Sequence, residues 1–345
     1  MTLAIGLIGA GRMGQILAEN LVTRVPAAHL AAVADMNAAQ AQAVAARLGI
    51  PAAYGDYRAL LDRPDIAAVL VVTPTNTHVE VVRAAAAAGK HIFCEKPLAL
   101  TVAGCDEAIA AVAAAGVMLY VGFMRRFDAA YRAAKTQIEA GVIGQPILFK
   151  AVGRDAGPTT VEYARRENSG GLIMDMGIHD FDLARWLMGS EVVRVHSEGA
   201  CLAYPQLRAA GDIDNAVVNL RFANEAVGNV DVSRSGVYGY DIRAEVVGTD
   251  GALFIGRLQQ TALLTLTREG IRYDAVMHFR ERFGEAYAAE LADFVDCVRH
   301  DRPPTIGGAD ARAATAIAVA ATRSLDEGRA VDVAEVLAPH PEVMP

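Results

Sequence analysis

LAIGLIGAGRMG, Leu3 to Gly14, decides the fold. Leu3 to Gly9 is an apolar run of the length of one strand buried on both faces. It leads into Gly9-Ala10-Gly11-Arg12-Met13-Gly14, a G-x-G-x-x-G, and a helix is expected from about Met13 to Leu21. With 31 glycines in the chain, that spacing alone means little. The strand before it and the helix after it give it weight. Gly9 permits the tight turn, Gly11 lets the backbone approach a pyrophosphate, and Gly14 lets the helix pack closely on the strand. The pyrophosphate then meets a helix N-terminus, where unpaired N–H groups and the helix dipole favour an anion.

The alternation continues downstream. HLAAVAD is a second strand ending at Asp35, and NAAQAQAVAARLG is a helix with Asn37 as N-cap and Gly49 just past its end. AAVLVVT is a strand, THVEVVRAAAAAGK a helix closed by Gly89, and KHIFCEKP a strand. Thr101 caps the helix VAGCDEAIAAVAAAG, and VMLYVG is the next strand. Such βα units specify a parallel sheet with helices on both faces, binding ligands at the carboxyl ends of its strands. After Gly122 the rhythm changes. A helix from about Arg126 to Ala140 and a strand PILFKAVG precede an irregular polar segment, Arg154 to Gly171, and then an apolar helix, GGLIMDMGIHDFDLARWL. AVVNLRF, GNVDVSR, DIRAEVVG, ALFIG and ALLTLTR are strand-like, with Thr249-Asp250-Gly251 as a hairpin turn. Helices return from about Ala286 to His300 and Ala309 to Glu327. The predicted fold class is α/β: an N-terminal Rossmann doubly wound parallel sheet, residues 1–121, plus a C-terminal α/β domain with an open, mostly antiparallel sheet, residues 122–345.

Composition excludes several functions. The chain of 345 residues is 53% hydrophobic and 21% charged, which suits a globular protein rather than a disordered one. Its net charge is -8, with no dense Lys/Arg cluster, so nucleic acid is not an expected partner. No apolar run reaches the roughly 18 residues of a membrane span. MTLAIGLIGAG lacks the basic start and cleavage site of a signal peptide. Cys94, Cys105, Cys201 and Cys297 are far apart, which favours a reducing cytoplasm over a disulfide framework.

Four places carry chemistry. Asp35, ending the second strand, can accept hydrogen bonds from both adenosine ribose hydroxyls, and no arginine follows to receive a 2′-phosphate. NAD is therefore expected over NADP. Thr73, Asn76 and His78 lie past another strand end, where they would flank the nicotinamide half, although Pro74 and Asn76 are also ordinary turn residues and Thr77 an ordinary N-cap. Lys96 ends a parallel strand at the same crevice, where its ammonium can bind a substrate hydroxyl and stabilise alkoxide character. On a regular helix, Asp175, His179, Asp182 and Trp186 fall on one stripe, with Asp180 projecting elsewhere. A carboxylate beside an imidazole leaves one ring nitrogen as a base. A solvated helix face with an Asp–His pair fits the same spacing. Two aspartates and one histidine lack a second histidine at matching spacing, so no metal is expected.

GAGRMG, TPTNTH, CEKPL, VGFMRRFD and MDMGIHDFDLARWL resemble, in order and spacing, the Gfo/Idh/MocA oxidoreductases. Within that family the chain is most similar to the inositol 2-dehydrogenases, through VGFMRRFDAAY, YGYDIRAEVVGTDG and RFGEAYAAELADF. The resemblance implies a catalytic trio in which His179 removes the hydroxyl proton, Asp175 orients it and Lys96 binds the reacting oxygen. It implies cofactor contacts along Gly9, Gly11, Arg12, Met13, Gly14, Asp35, Thr73, Asn76, His78, Glu95 and Lys96. It implies substrate contacts from Lys96, Arg125, Arg154, Asp155, Asp175, His179 and Tyr238. It also implies a cyclic polyol or sugar as substrate, and a homo-oligomer, dimer or tetramer, with a subunit interface on the open sheet. An aldose or aminosugar dehydrogenase and a non-catalytic dinucleotide-binding regulator are the alternatives. Where inositol dehydrogenases show Arg-Asn-Pro after a histidine, this chain has Gly153-Arg154-Asp155-Ala156-Gly157-Pro158, so an inositol stereoisomer other than myo-inositol, or a sugar, stays open.

Overall fold

The computed structural model describes residues 2–337. The chain divides into two compact units, Met1–Phe127 with Glu285–Thr315, and Asp128–Gly284 with Ala316–Pro345. Among the described residues, no helix is long and apolar enough to cross a membrane.

In the first unit, β1 (Leu3–Ile8), α1 (Arg12–Arg24), β2 (Ala28–Ala34), α2 (Ala38–Leu48), β3 (Ala53–Tyr54), α3 (Tyr57–Leu61), β4 (Ala68–Val71), α4 (His78–Ala87), β5 (His91–Glu95), α5 (Val102–Ala115) and β6 (Leu119–Gly122) follow in order. The strands pair in parallel in the order β3-β2-β1-β4-β5-β6. This is the expected Rossmann sheet, and its direction of growth reverses between β1 and β4, the place where such sheets bind ligands. Ile5, Leu7, Val69, Leu70, Ile92 and Phe93 are wholly buried in it. Each such side chain contributes about 1.5–3 kcal/mol by leaving water. The caps fall where the sequence puts them. Asn37 accepts from the Gln40 N–H at 3.2 Å, Thr101 accepts from the Gly104 N–H at 3.0 Å, and Gly49 ends α2 in the left-handed region.

The first unit does not stop at residue 121. It runs on through a 3-10 turn, Met124–Phe127, and includes Glu285–Thr315. Phe294 packs edge-on against Phe93 and Tyr120, with ring centroids 5.6 and 5.7 Å away. The Tyr120 hydroxyl donates to Asp293 Oδ2 at 2.9 Å, and the Val121 N–H donates to the Ile306 carbonyl at 3.0 Å. These contacts join residues more than 170 positions apart, beyond the reach of local patterning.

The second unit holds α6 (Ala129–Glu139), β7 (Pro146–Arg154), α7 (Val161–Ala164), α8 (Arg166–Ser169), a π-helical turn Ile173–Gly177, α9 (Ile178–Met188), β8 (Val192–Ala200), β9 (Asn215–Phe222), β10 (Val227–Ser233), β11 (Asp241–Gly248), β12 (Ala252–Ile255) and a small hairpin of β13 (Thr265–Thr267) and β14 (Gly270–Arg272). Asp128, accepting from the Ala130 and Tyr131 N–H groups, starts α6 three residues later than expected. Helices α7 and α8 occupy the segment expected to be irregular, and β8 is a strand the pattern did not announce. The main sheet has the order β12-β11-β7-β10-β9-β8-β15, with β15 at Val331–Asp332, and only the β7–β10 pair is parallel. One face buries Phe149, Ala151, Val218, Val230, Val232 and Ala244. The other carries Lys150, Asn219, Asn229 and Glu245 in mutual register. Asp180 of α9 meets the buried face: a Cβ on Gly153 would lie 2.9 Å from Asp180 Oδ2.

Candidate active site

The glycine-rich turn divides its three glycines between two tasks. Gly9 has φ +101°, and a Cβ there would lie 2.4 Å from the Val72 carbonyl oxygen. A Cβ on Gly14 would lie 2.0 Å from the Gly9 carbonyl oxygen. Both must be glycine for the chain to fold this way. Gly11 is different, because nothing stands within 4 Å of where its Cβ would be. Its absent side chain serves something other than the protein. Helix α1 begins directly after it, with no side-chain cap and no acidic residue in its first turn. Gln15 and Gln40 fix the loop by donating to the Ala10 carbonyl at 3.1 and 3.2 Å.

Asp35 sits at the end of β2 beside that loop. Its Oδ2 accepts from the Ala10 N–H at 2.7 Å and its Oδ1 from the Asn37 N–H at 2.8 Å. Each oxygen keeps a lone pair for a further donor, and the carboxylate cannot swing away. Past β4, Thr77 Oγ1 donates to Thr73 Oγ1 at 2.8 Å, while Asn76 is exposed. His78 points inward. Its Nδ1 lies 2.7 Å from the Pro97 carbonyl and its Nε2 2.9 Å from the Thr73 carbonyl. Burial pushes the ring below the usual histidine range, against the pull of those two carbonyls. The neutral ring carries one N–H, so it donates to one of these two carbonyls, between the end of β4 and the segment after β5. That segment carries Glu95, buried, and Lys96, half-buried. Glu95 Oε2 accepts from the Lys96 N–H at 3.1 Å, while its Oε1 is buried with no hydrogen-bond partner. Arg125 is buried in the 3-10 turn after β6.

In the second unit, α9 is no solvated face. His179 is 8% exposed, Asp182 1% and Asp180 0%. Charge withdrawn from water needs partners, and the half-buried Asp175 has strong ones. The Tyr163 hydroxyl donates to its Oδ1 at 3.0 Å, and the Arg234 guanidinium reaches its Oδ2 at 3.3 and 3.2 Å. Asp175 lies in the π-turn, where hydrogen bonds run from i to i+5, so the stripe drawn at 100° per residue does not describe its relation to His179. Neither Tyr163 nor Arg234 was singled out from the sequence. An arginine just past a strand end is ordinarily a surface residue, and nothing local marks this one as buried.

Arg154 and Tyr238 do stand together. Arg154 Nη1 donates to the Tyr238 hydroxyl at 2.9 Å, and that hydroxyl donates to Asp241 Oδ2 at 2.9 Å. Arg154 also pairs with Asp231, and Arg243 with Asp241. Side chains alternate across a strand. Gly153 faces α9, so Arg154, in register with Asp241, lies on the other face of the sheet, as does Asp231, in register with Val152. The structure therefore groups Arg154 with Tyr238 but not with Asp175 and His179. Asp155 is tied into β10 through its backbone, its N–H donating to the Ser233 carbonyl at 2.9 Å, and its carboxylate contributes to the field on Arg234.

Comparison with known proteins places this geometry. Residues 3–123 match the model of an oxidoreductase family with an NAD-binding Rossmann fold, and residues 135–333 match its C-terminal alpha/beta domain. The chain belongs to the Gfo/Idh/MocA oxidoreductase family. A scyllo-inositol 2-dehydrogenase (NAD(+)) of Bacillus subtilis is 42% identical over 327 residues, 95% of each chain. A myo-inositol 2-dehydrogenase of Thermotoga maritima is 41% identical, covering 96% of this chain and 99% of that one. A crystal structure of scyllo-inositol dehydrogenase from Lactobacillus casei, with bound NAD(H) and scyllo-inositol, superposes with a TM-score of 0.91 at 31% identity, covering 97% of this chain and 100% of that one.

The residues of this Gfo/Idh/MocA protein fit NAD. Open space beside Gly11 suits a pyrophosphate on the N-terminus of α1, and Asp35 presents two anchored acceptors to a ribose. The lone Oε1 of Glu95 is a buried polar atom awaiting a partner. Burial pushes the Glu95 carboxyl up to about 7, against the Lys96 ammonium and N–H, which pull it down. A carboxyl raised in the folded state stabilises that state below its unfolded value and loses the contribution as pH rises through about 7. Glu95→Gln should therefore gain on the wild type by up to about 3 kcal/mol between about pH 5 and pH 8 in the absence of NAD. Denaturant unfolding at several pH values measures this, and a constant gap between the two proteins would contradict it.

Proposed function

We propose that the protein oxidises a secondary hydroxyl of an inositol to the ketone. The observation that carries this reading is a half-buried carboxylate, Asp175, clamped by Arg234 and Tyr163 in the same helical segment as the buried His179. A carboxylate fixed in this way serves an imidazole that must take up a proton. His179 removes the hydroxyl proton, and Asp175 orients the ring and stabilises its charged form. Lys96 binds the reacting oxygen and stabilises the negative charge that develops on it. NAD, when bound, supplies the acceptor for the hydride. The substrate class rests on the relatives, whose names specify scyllo- and myo-inositol.

Purified protein should reduce NAD with at least one member of a panel of inositol stereoisomers, and faster than it reduces NADP. A panel that includes pyranoses separates the inositol reading from a sugar dehydrogenase. Silence with every polyol and both cofactors would overturn the assignment in favour of a non-catalytic dinucleotide binder.

The same reading makes the protein a cytoplasmic homo-oligomer, a dimer or a tetramer. Its support is the outer face of the second sheet, where Val217, Val227 and Phe254 are exposed, and four free, buried cysteines.

A further inference from the structure

Arg234 is the bulkiest side chain fully buried among the described residues, at 1% exposure. It follows β10 directly, and its backbone N–H donates to the Asp214 carbonyl at 2.9 Å. Its guanidinium makes two contacts with Asp175 Oδ2, and its Nη2 lies 3.8 Å from Asp212 Oδ2. Burial works against the charge, yet Asp175, Asp212 and Asp155 together hold this arginine above its usual range. Asp212 in turn accepts from the Leu172 N–H at 2.9 Å through Oδ1. Gly171, with φ +78°, makes that approach possible, since a Cβ there would stand 2.8 Å from Asp212 Oδ1.

These contacts bracket one short segment. Leu172 is the residue before the π-turn and Asp175 is its third residue. Wide turns of this kind are rare within helices and occur frequently at functional sites. Here the turn is tied at its start by Asp212 and in its middle by Arg234, and the two ties are paired with each other. A buried ion pair is a costly way to gain stability, because apolar residues of the same volume do as well or better. What the pair supplies that apolar packing would not is direction. It fixes which way Asp175 Oδ2 faces, while Tyr163 fixes Oδ1.

We propose that Arg234, paired with Asp212, is a positioning residue for the reaction, holding the π-turn Ile173–Gly177 open so that the Asp175 carboxylate is aimed to serve His179. This rests on the dehydrogenase reading above. Lysine would keep the charge but not the fork, and a single ammonium cannot reproduce the paired Nη1 and Nη2 contacts on Asp175 Oδ2.

The test compares Arg234→Lys with the wild type in the full-length protein. Four quantities are measured: melting temperature, NAD affinity, steady-state kinetics with the best inositol, and amide exchange of residues 172–179. The variant should fold and bind NAD as the wild type does, with kcat lowered about 10- to 100-fold and KM for the inositol little changed. Exchange should quicken in residues 172–179 and nowhere in the first unit. Unchanged kcat and exchange would overturn the proposal. So would a parallel loss of melting temperature, NAD affinity and KM, which marks a purely structural role. If Arg234→Lys does not fold, Asp212→Asn carries the same comparison, since its amide oxygen can still accept from Leu172. A wild type inactive on every polyol would instead sink the dehydrogenase reading, and the exchange comparison would still decide whether Arg234 holds the turn.

Discussion

His179→Ala lowers turnover by about 10²-fold or more and leaves NAD binding unchanged, given what a general base contributes. The imidazole is 8% exposed in a helix where almost every side chain is buried. Its removal leaves a void as well as a missing base, so His179→Asn belongs beside it. Asparagine fills much of the space but takes up no proton. If both variants lose turnover alike, the proton step is responsible; if only alanine does, packing is. The residues that fit NAD lie on the glycine turn and at Asp35, in the first unit, and titration of protein fluorescence with NAD should give wild-type affinity for both variants. Near-normal turnover in both would remove His179 from the chemistry.

The second large effect separates two glycines that sequence motifs treat alike. Gly9→Ala puts a methyl group 2.4 Å from the backbone oxygen of Val72, at φ +101°. The Val72 N–H is itself bonded to the Ile8 carbonyl, so the strand end cannot yield without breaking the sheet. Left-handed strain and overpacking each cost about 1–3 kcal/mol, and together they should destabilise the protein by about 3 kcal/mol or more. Gly11→Ala meets nothing within 4 Å and has an ordinary φ of -67°. It should melt with the wild type and yet bind NAD at least about 10-fold more weakly, because the methyl group takes space meant for the pyrophosphate. Calorimetry with and without NAD reads both effects. A Gly11→Ala protein that binds NAD normally would show that the open space is not where the phosphates go.

How much of this was written in the sequence depends on how far apart the contributing residues are. The Rossmann half was legible because its signals are local: an apolar run, three spaced glycines, a strand-end aspartate, and caps at Asn37 and Thr101. Asp175 and His179 were legible as candidates, since charge inside an apolar helix calls for a reason. What supports them was not. The π-turn is invisible to a reading that assumes 100° per residue. Arg234 reaches Asp175 across 59 positions, and no spacing rule covers that distance. Arg154 and Tyr238 are expected at the substrate; Arg154 takes the face of β7 opposite Gly153, which packs against Asp180, and strand parity of that kind is set by pairing with β10 and β11, out of local reach. The burial of His78 is hidden in the sequence for a simpler reason. A histidine in a turn looks exposed, whereas this one is buried between two carbonyls, its single N–H bonded to one of them.

The return of Glu285–Thr315 to the first unit has a consequence for how the chain is made. A ribosome delivers β1 to β6 early, but Phe294, which packs on Phe93 and Tyr120, emerges about 170 residues later, when most of the second unit has been synthesised. Until then Tyr120 and the Val121 N–H lack the groups they bond in the finished protein. The nascent dinucleotide-binding half must therefore wait, its last strand incompletely covered, through the translation of Asp128–Gly284. A fragment cut at residue 127 would remain in that waiting state.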